Sequence, residues 1–408
     1  MDQTNVVSFR FLWLGQMLAN LGDVLYIVSL ITLVYKVTDS VTLVSLIPFV
    51  ITMTSLISGL LAPLMINKYK LKSILFYSQS GKTIILLILC LFTPYIGFDT
   101  LFLIYLLIAI VSFLDGWAMP ARNALVPGLV EERKLVKVNS FLAISDQVTQ
   151  LIAWPIGSVL LAAWGGPYIL WLTFGLFIVS TSFMSLIKDK GIGVVKSEDG
   201  SSKWSVLKEG WQMIWESKQL RTISTMSILE AMANGVWIAA ILLVYVSQAL
   251  HKGEAWWGFI NTSFLAGMIL GGLLVYRYAK HLENNLGKTM MLASICLTVI
   301  TLLFGMNSIS WIALMFSLVL GLPQMARDVA ETTIVQRSAK KERLAKIFSA
   351  RGTLFNGAFG ISSVLLGWLT DLFGVRTTFL TAAALFFCSF LIAFFNREYL
   401  FNSRISKN

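Results

Sequence analysis

Charge is scarce in this chain. Only 13% of its 408 residues are Asp, Glu, Lys or Arg, against 57% hydrophobic residues. A soluble domain carries about 25% charged residues, so a water-facing surface cannot be filled from this composition. Histidine is scarcer still. His251 and His281 are the two in the chain, far apart and each in a polar stretch. Neither has the company that a catalytic or metal-binding cluster needs, so an integral-membrane enzyme is not expected. The three cysteines, Cys90, Cys296 and Cys388, all lie inside apolar runs. This placement suits small core residues better than a disulfide or a metal site. No strand followed by a glycine-rich loop ending in Gly-Lys-Ser/Thr is present, so no nucleotide cradle is expected. The first apolar run lacks a small-residue cleavage pattern, so no cleavable signal peptide is expected.

What the sequence does have is long apolar runs. The mean hydropathy is +0.77, and runs of 18 or more apolar residues recur, the signature of transmembrane helices. We read twelve spans, at about 9–35, 41–66, 73–94, 100–121, 139–163, 167–187, 221–249, 256–278, 287–305, 309–327, 351–373 and 375–396. Each is long enough to cross ~30 Å at 1.5 Å per residue. The basic residues alternate with the loops: 28 of the 32 fall in the termini and the even-numbered loops. By the positive-inside rule both termini are then cytoplasmic. The same alternation explains the net charge of +11 without nucleic acid as a partner.

The loop 188–220 is rich in Lys, Gly, Ser and Glu and divides the chain into two six-span sets, 1–187 and 221–408. Within it Trp204, Leu207, Trp211, Ile214 and Trp215 recur at helical spacing. An amphipathic helix there either lies on the cytoplasmic membrane face or packs under the bundle. The two sets are parallel repeats. "LVY" at 33–35 recurs at 243–245, Gly157 at Gly367, and the Ala-Arg-Asn step at Arg122 as Ala-Arg-Asp at Arg327 and Asp328. Transporters built this way bind substrate near the midplane and alternate access.

With the stretches "FLWLGQMLANLGDVLYIVSLITLVYKVTDS", "AMPARNALVPGLVEERKLVKVNSF", "VLKEGWQMIWESKQLR" and "KKERLAKIFSARG", the chain resembles the major facilitator superfamily. Within it the resemblance is to the macrolide-efflux branch of proton-driven drug exporters, over essentially the whole length. It implies an all-α membrane fold of two six-helix repeats. The implied activity is export of lipophilic, drug- or macrolide-like molecules by proton antiport, with a proton gradient in place of any cofactor. The span-5 antiporter motif is represented by Pro155 and Gly157, with Trp154 where the family has its first Gly. The loop between spans 2 and 3, "GLLAPLMINKYKLKS", keeps Lys68, Lys70 and Lys72 but not the family's acid. Alternative cargoes are a siderophore or a lipid-like metabolite; a transport-dead membrane sensor on the same fold is a further alternative. A monomer in a bacterial cytoplasmic membrane is expected.

Ionisable groups inside spans are costly and are functional candidates by default. Gln16, Asn20 and Asp23 share one face of span 1 at i, i+4 and i+7, a polar stripe suited to a wet cavity and to proton loading. Glu230, Asn234 and Trp237 share a face of span 7 and offer a charge, an amide and an aromatic wall, suited to a lipophilic substrate, a cationic one included. Lys82, mid-span, needs a partner, and Asp115 and Asp146 lie at similar depth. Arg122, Arg327, Asp328 and Glu331, at the ends of spans 4 and 10, are candidates for a cytoplasmic gate. The glycines of span 8, "FLAGMILGGLL", fit close helix packing.

Overall fold

Inside a bilayer a backbone N–H or C=O has no water to bond, so apolar spans close their hydrogen bonds within helices. The computed structural model describes residues 3–39, 41–188, 203–253 and 255–401. Over those residues it is built of helices and short connections. In chain order they are α1 (Gln3–Thr38), α2 (Val41–Lys68), α3 (Leu71–Phe92), α4 (Leu101–Asp115), α5 (Ala118–Leu129), α6 (Leu135–Trp164) and α7 (Gly166–Leu186). Next come α8 (Lys203–Glu216), α9 (Lys218–Asn234), α10 (Ala239–Val244), α11 (Ala255–Arg277), α12 (Ala279–Leu282) and α13 (Leu286–Met306). The last are α14 (Ser310–Ser338), α15 (Lys341–Phe373), α16 (Val375–Phe395) and α17 (Arg397–Phe401).

Among the described residues ten stretches are long and apolar enough to cross a membrane, and a bent pair, Lys218–Trp237 with Ile241–Ala249, makes an eleventh if it is one span; the helix that holds the run read as 139–163 is not among them, so the count is ten or eleven against the twelve expected. Two of the apolar runs are thus not straight. The run read as 100–121 extends to Leu129 and breaks between α4 and α5; the run read as 221–249 bends by 50° after Trp237. Large apolar side chains face outward, among them Phe102, Trp311 and Val364, as lipid-facing helices require.

By packing, the chain forms two compact units. Unit 1 takes residues 1–131, 148–210 and 341–350; unit 2 takes 132–147, 211–340 and 351–408. The division expected from the sequence differs from this in two places. Residues 132–147 pack with unit 2, where Ser140 Oγ donates to the Gly272 carbonyl (2.6 Å) and Asn139 Nδ2 donates to Gln336 Oε1 (2.6 Å) and Thr333 Oγ1 (3.0 Å). Residues 341–350 pack with unit 1. There Lys346 Nζ donates to Glu209 Oε2 (2.5 Å) and Asn67 Oδ1 (3.0 Å), and Ser349 Oγ to the Gly59 carbonyl (2.5 Å). Charge spacing and apolar runs define the spans, but these polar contacts decide where their ends pack.

The core of unit 1 is a cluster around Leu30, Val34, Ile47, Ile108 and Phe177. Unit 2 has two clusters. One is built on Tyr245, Phe304 and Phe379, and the other on Met226, Met290 and Ile334. The glycines of α11 pack as expected: a Cβ on Gly321 of α14 would come within 2.5 Å of the Met268 nitrogen, and one on Gly271 within 2.8 Å of the Leu322 carbonyl oxygen. The linker helix forms as α8, although residues 189–202 of the linker lie outside the described residues. It packs against the start of α15, for a Cβ on Gly210 would sit 2.6 Å from the Lys346 carbonyl oxygen, while Trp215 is exposed.

Candidate functional site

In unit 1 the chemistry is set by a helix break. Pro120 has no N–H to give to the carbonyl of Gly116, and its ring crowds that residue. The helix therefore stops at Asp115 and restarts at Ala118. Carbonyls freed near the break are taken by side chains: Ser58 Oγ donates to Phe113 O (2.5 Å) and Ser78 Oγ to Leu114 O (2.6 Å). Gly116 is required by the close approach, since its Cβ would meet Ser58 Oγ at 2.5 Å. Asp115, at the last residue of α4, is thereby presented to α3.

Lys82 of α3 is 1% exposed. Its Nζ lies 2.8 Å from the Asp23 carboxylate of α1 and 2.8 Å from Asp115 Oδ1, with the Phe177 ring 5.2 Å away. Asp23 and Asp115 keep 23% and 48% of their side chains exposed. The cluster as named carries two acids and one base. The α1 face continues through Asn20, whose Oδ1 accepts from Gln16 Nε2 (2.8 Å). Gln16 Oε1 and Gln79 Nε2 are buried polar atoms with no hydrogen-bond partner. The structure thus joins two candidates that the sequence kept apart, Asp23 and Lys82. It selects Asp115 and not Asp146 as the second carboxylate on the lysine. Asp146 belongs to unit 2.

In unit 2 Glu230 of α9 is 1% exposed. It forms an ion pair with Arg327 of α14 and accepts from Ser389 (2.5 Å) and Ser294 (2.9 Å). Arg327 Nη1 also meets Glu331 at 2.5 Å, one turn on. Glu331 in turn pairs with Arg351 of α15 and accepts from Ser227 (3.0 Å). Asp328 stands apart: Arg327 Nη1 is 3.7 Å away, Gln324 Nε2 donates to it at 3.0 Å, and 43% of its side chain is exposed.

Asp328 faces a cavity of about 280 Å³ whose wall includes Asn234, Trp237, Phe264, Gln324 and Phe355. Trp237 packs edge-on against Phe304 and Phe379, and its Nε1 is buried without a partner. Of the three residues expected to share a cavity face on span 7, Asn234 and Trp237 do line one. Glu230 does not; its carboxylate is spent on Arg327 and two serines. Of the four expected gate residues, Arg327 and Glu331 are bound into this cluster, Asp328 is on the cavity wall, and Arg122 is buried in unit 1 at 3% exposure. Gly157 of α6 is a packing residue: a Cβ there would lie 3.1 Å from Leu25 of α1. Pro155 lies inside the same helix.

Residues 12–286 and 223–407 match the sequence model described as the Major Facilitator Superfamily. The chain belongs to this superfamily. It is therefore a membrane-spanning transporter of the major facilitator kind, a family that acts on small molecules. YfmI of Bacillus subtilis (strain 168), an uncharacterized MFS-type transporter, is 30% identical over 401 residues, 97% of each chain. Macrolide efflux protein A of Streptococcus pyogenes is 21% identical over 292 residues, 70% of each. Among solved structures, a bacterial homologue of the iron transporter ferroportin in an outward-facing state matches with a TM-score of 0.78 at 14% identity, over 96% of this chain and 99% of that one. At that identity the likeness speaks for the major facilitator fold alone.

The sequence reading missed Arg351, which it counted as a loop charge. The available signal was its place at the start of an apolar run. It also missed Ser294 and Ser389, for which a lone serine in an apolar helix gives no signal.

Proposed function

We propose that the chain is a secondary active exporter of lipophilic small molecules, working by proton antiport with alternating access. In this reading it crosses a bacterial cytoplasmic membrane twelve times as a monomer, with both termini cytoplasmic. The loop alternation of Lys and Arg supports that orientation. The observation that carries the coupling is the bridge of Lys82 between Asp23 and Asp115. Two carboxylates on one ammonium leave one negative charge in excess. One proton cancels it without removing the lysine's partner, so the bridge can load and release a proton while staying assembled. Both carboxylates are partly exposed, which gives the proton a route in. A drug-like cargo is supported by the apolar, aromatic cavity of unit 2 and by the likeness to a macrolide efflux protein.

The test is transport in proteoliposomes under an imposed pH gradient, with a panel of lipophilic dyes and macrolides. The native protein should move at least one of them when the gradient is applied. Asp23→Asn should cut gradient-driven movement by about a hundredfold or more, in the range that a proton-transferring group contributes. A native protein that moves nothing in the panel would sink the drug-export reading. A fully active Asp23→Asn would sink coupling through this bridge.

A further inference from the structure

Unit 2 contains five charged groups within one network: Glu230, Asp328 and Glu331 against Arg327 and Arg351. Their contacts are unequal. Arg327 is directed at Glu230 through Nε and at Glu331 through Nη1, and Arg351 is directed at Glu331. Glu230 and Glu331 are 2% and 17% exposed at the side chain. Asp328 receives one amide hydrogen bond from Gln324 and a guanidinium at 3.7 Å, and remains 43% exposed. Among the described residues it is the one carboxylate on the cavity wall. The surplus negative charge of the network therefore sits where a ligand can reach it.

The rest of the wall narrows the class of ligand. Trp237, Phe264 and Phe355 present aromatic surface, and Leu242, Ile260 and Met268 add aliphatic surface. Ring faces attract cations as well as apolar groups. The volume of about 280 Å³ is near the lower end of the ~300–1,000 Å³ usual for ligand pockets. It holds a compact ligand, or the charged arm of a larger one.

We propose that Asp328 is the cation-binding carboxylate of this cavity, and that its ligand is a lipophilic monocation: an ammonium or phosphonium centre on an aromatic or aliphatic body. The proposal rests on the export reading in taking the cavity to hold cargo. It replaces Glu230 with Asp328 as the residue that meets the cargo's charge. Glu230 instead positions Arg327, which keeps the wall beneath Asp328 rigid. The match of one surplus charge to one cation disfavours dications and anions alike.

The probes are tetraphenylphosphonium, a permanent cation with no proton to lose, and triphenylphosphine oxide, a neutral relative of similar aromatic character. Binding is measured on the purified full chain. The native protein should prefer the cation. Asp328→Asn should weaken cation binding by about tenfold or more and leave the oxide within about twofold. Asp328→Glu should recover cation binding, which separates charge loss from misfolding. On the native protein, carbodiimide modification of Asp328, read by peptide mass spectrometry, should be slowed by the cation and not by the oxide. The proposal is overturned if Asp328→Asn binds the cation like the native chain, if the native chain prefers the oxide, or if the cation gives no protection. Transport distinguishes it from the broader reading. Native protein that binds the cation but moves nothing under a pH gradient contradicts export and leaves the site standing. Normal cation export by Asp328→Asn contradicts the site and leaves export standing.

Discussion

Lys82 is an ammonium group 1% exposed within a span, and such a charge must find an acid. Its pairing with Asp115 was legible, because helical rise puts the two at one depth. The pairing with Asp23 was not, and Asp146 could not be told from Asp115. Depth follows from residue number, but the direction one helix faces toward another does not. Glu230 shows a second limit: it was placed on a cavity face with Asn234 and Trp237, yet its charge is taken by an arginine from α14, which the pattern of α9 does not announce. Replacing Lys82 with methionine leaves Asp23 and Asp115 facing each other without a cation. Removing one partner of a buried pair costs about 3–5 kcal/mol, and the half-exposed Asp115 places this case near the low end. Lys82→Met should therefore lower the thermal midpoint of the detergent-purified protein, and adding Asp115→Asn should restore part of the loss. A Lys82→Met protein as stable as the native one would show that the bridge does not hold α1, α3 and α4 together.

At the scale of elements, apolar length placed most of the runs on helices, because lipid leaves the backbone no alternative, but not their ends: the run read as 309–327 lies in a helix that goes on to Ser338, and the one read as 351–373 begins at Lys341. The breaks were less legible. Pro120 hinted at the one before α5, but its position depends on Ser58 and Ser78, which come from other helices. The bend after Trp237 has no proline at all. The Met232 carbonyl before it, which accepts the Gly235 N–H, also accepts from Ser362 Oγ at 2.6 Å, a contact that no local pattern announces. That α11 packs closely was readable from its glycines, whereas its partner α14 was not; the contact gives a direct test. Gly321 touches the backbone of α11 around Gly267 and Met268, and backbone cannot move aside as a side chain can. Gly321→Leu should cost ~3 kcal/mol or more, the upper range for overpacking. It should appear as loss of monodisperse protein on size-exclusion chromatography. Gly360→Leu is the control, since no atom lies within 4 Å of a Cβ at that position.

For the molecule as a whole, the repeat was visible in sequence and returns in structure at the turns. Gly165, between α6 and α7, and Gly374, between α15 and α16, both hold positive φ, 84° and 81°, a backbone region that glycine alone enters freely. The repeated Gly157 and Gly367 do not share a role: the first packs against Leu25, whereas nothing lies within 4 Å of the second. The orientation proposed from the loop charges is checked by labelling. In a background with Cys90, Cys296 and Cys388 replaced, Lys252→Cys should react with a membrane-impermeant maleimide in intact cells. Lys280→Cys should react only after permeabilisation. The reverse pattern would invert the topology.

The odd number of charges in each network has an electrical meaning. Asp23, Lys82 and Asp115 sum to one negative charge, and so do the five groups around Arg327. A carrier that returns one proton for each monocation it expels moves no net charge across the bilayer. Moving one charge through the field is worth about 2.3 kcal/mol per 100 mV, and an exchange of that kind forgoes it. Export of a monocation should then follow the pH difference and be indifferent to voltage. A potassium–valinomycin diffusion potential imposed on the proteoliposomes should leave its rate unchanged. A rate that rises with the potential would mean that more than one proton returns per cargo.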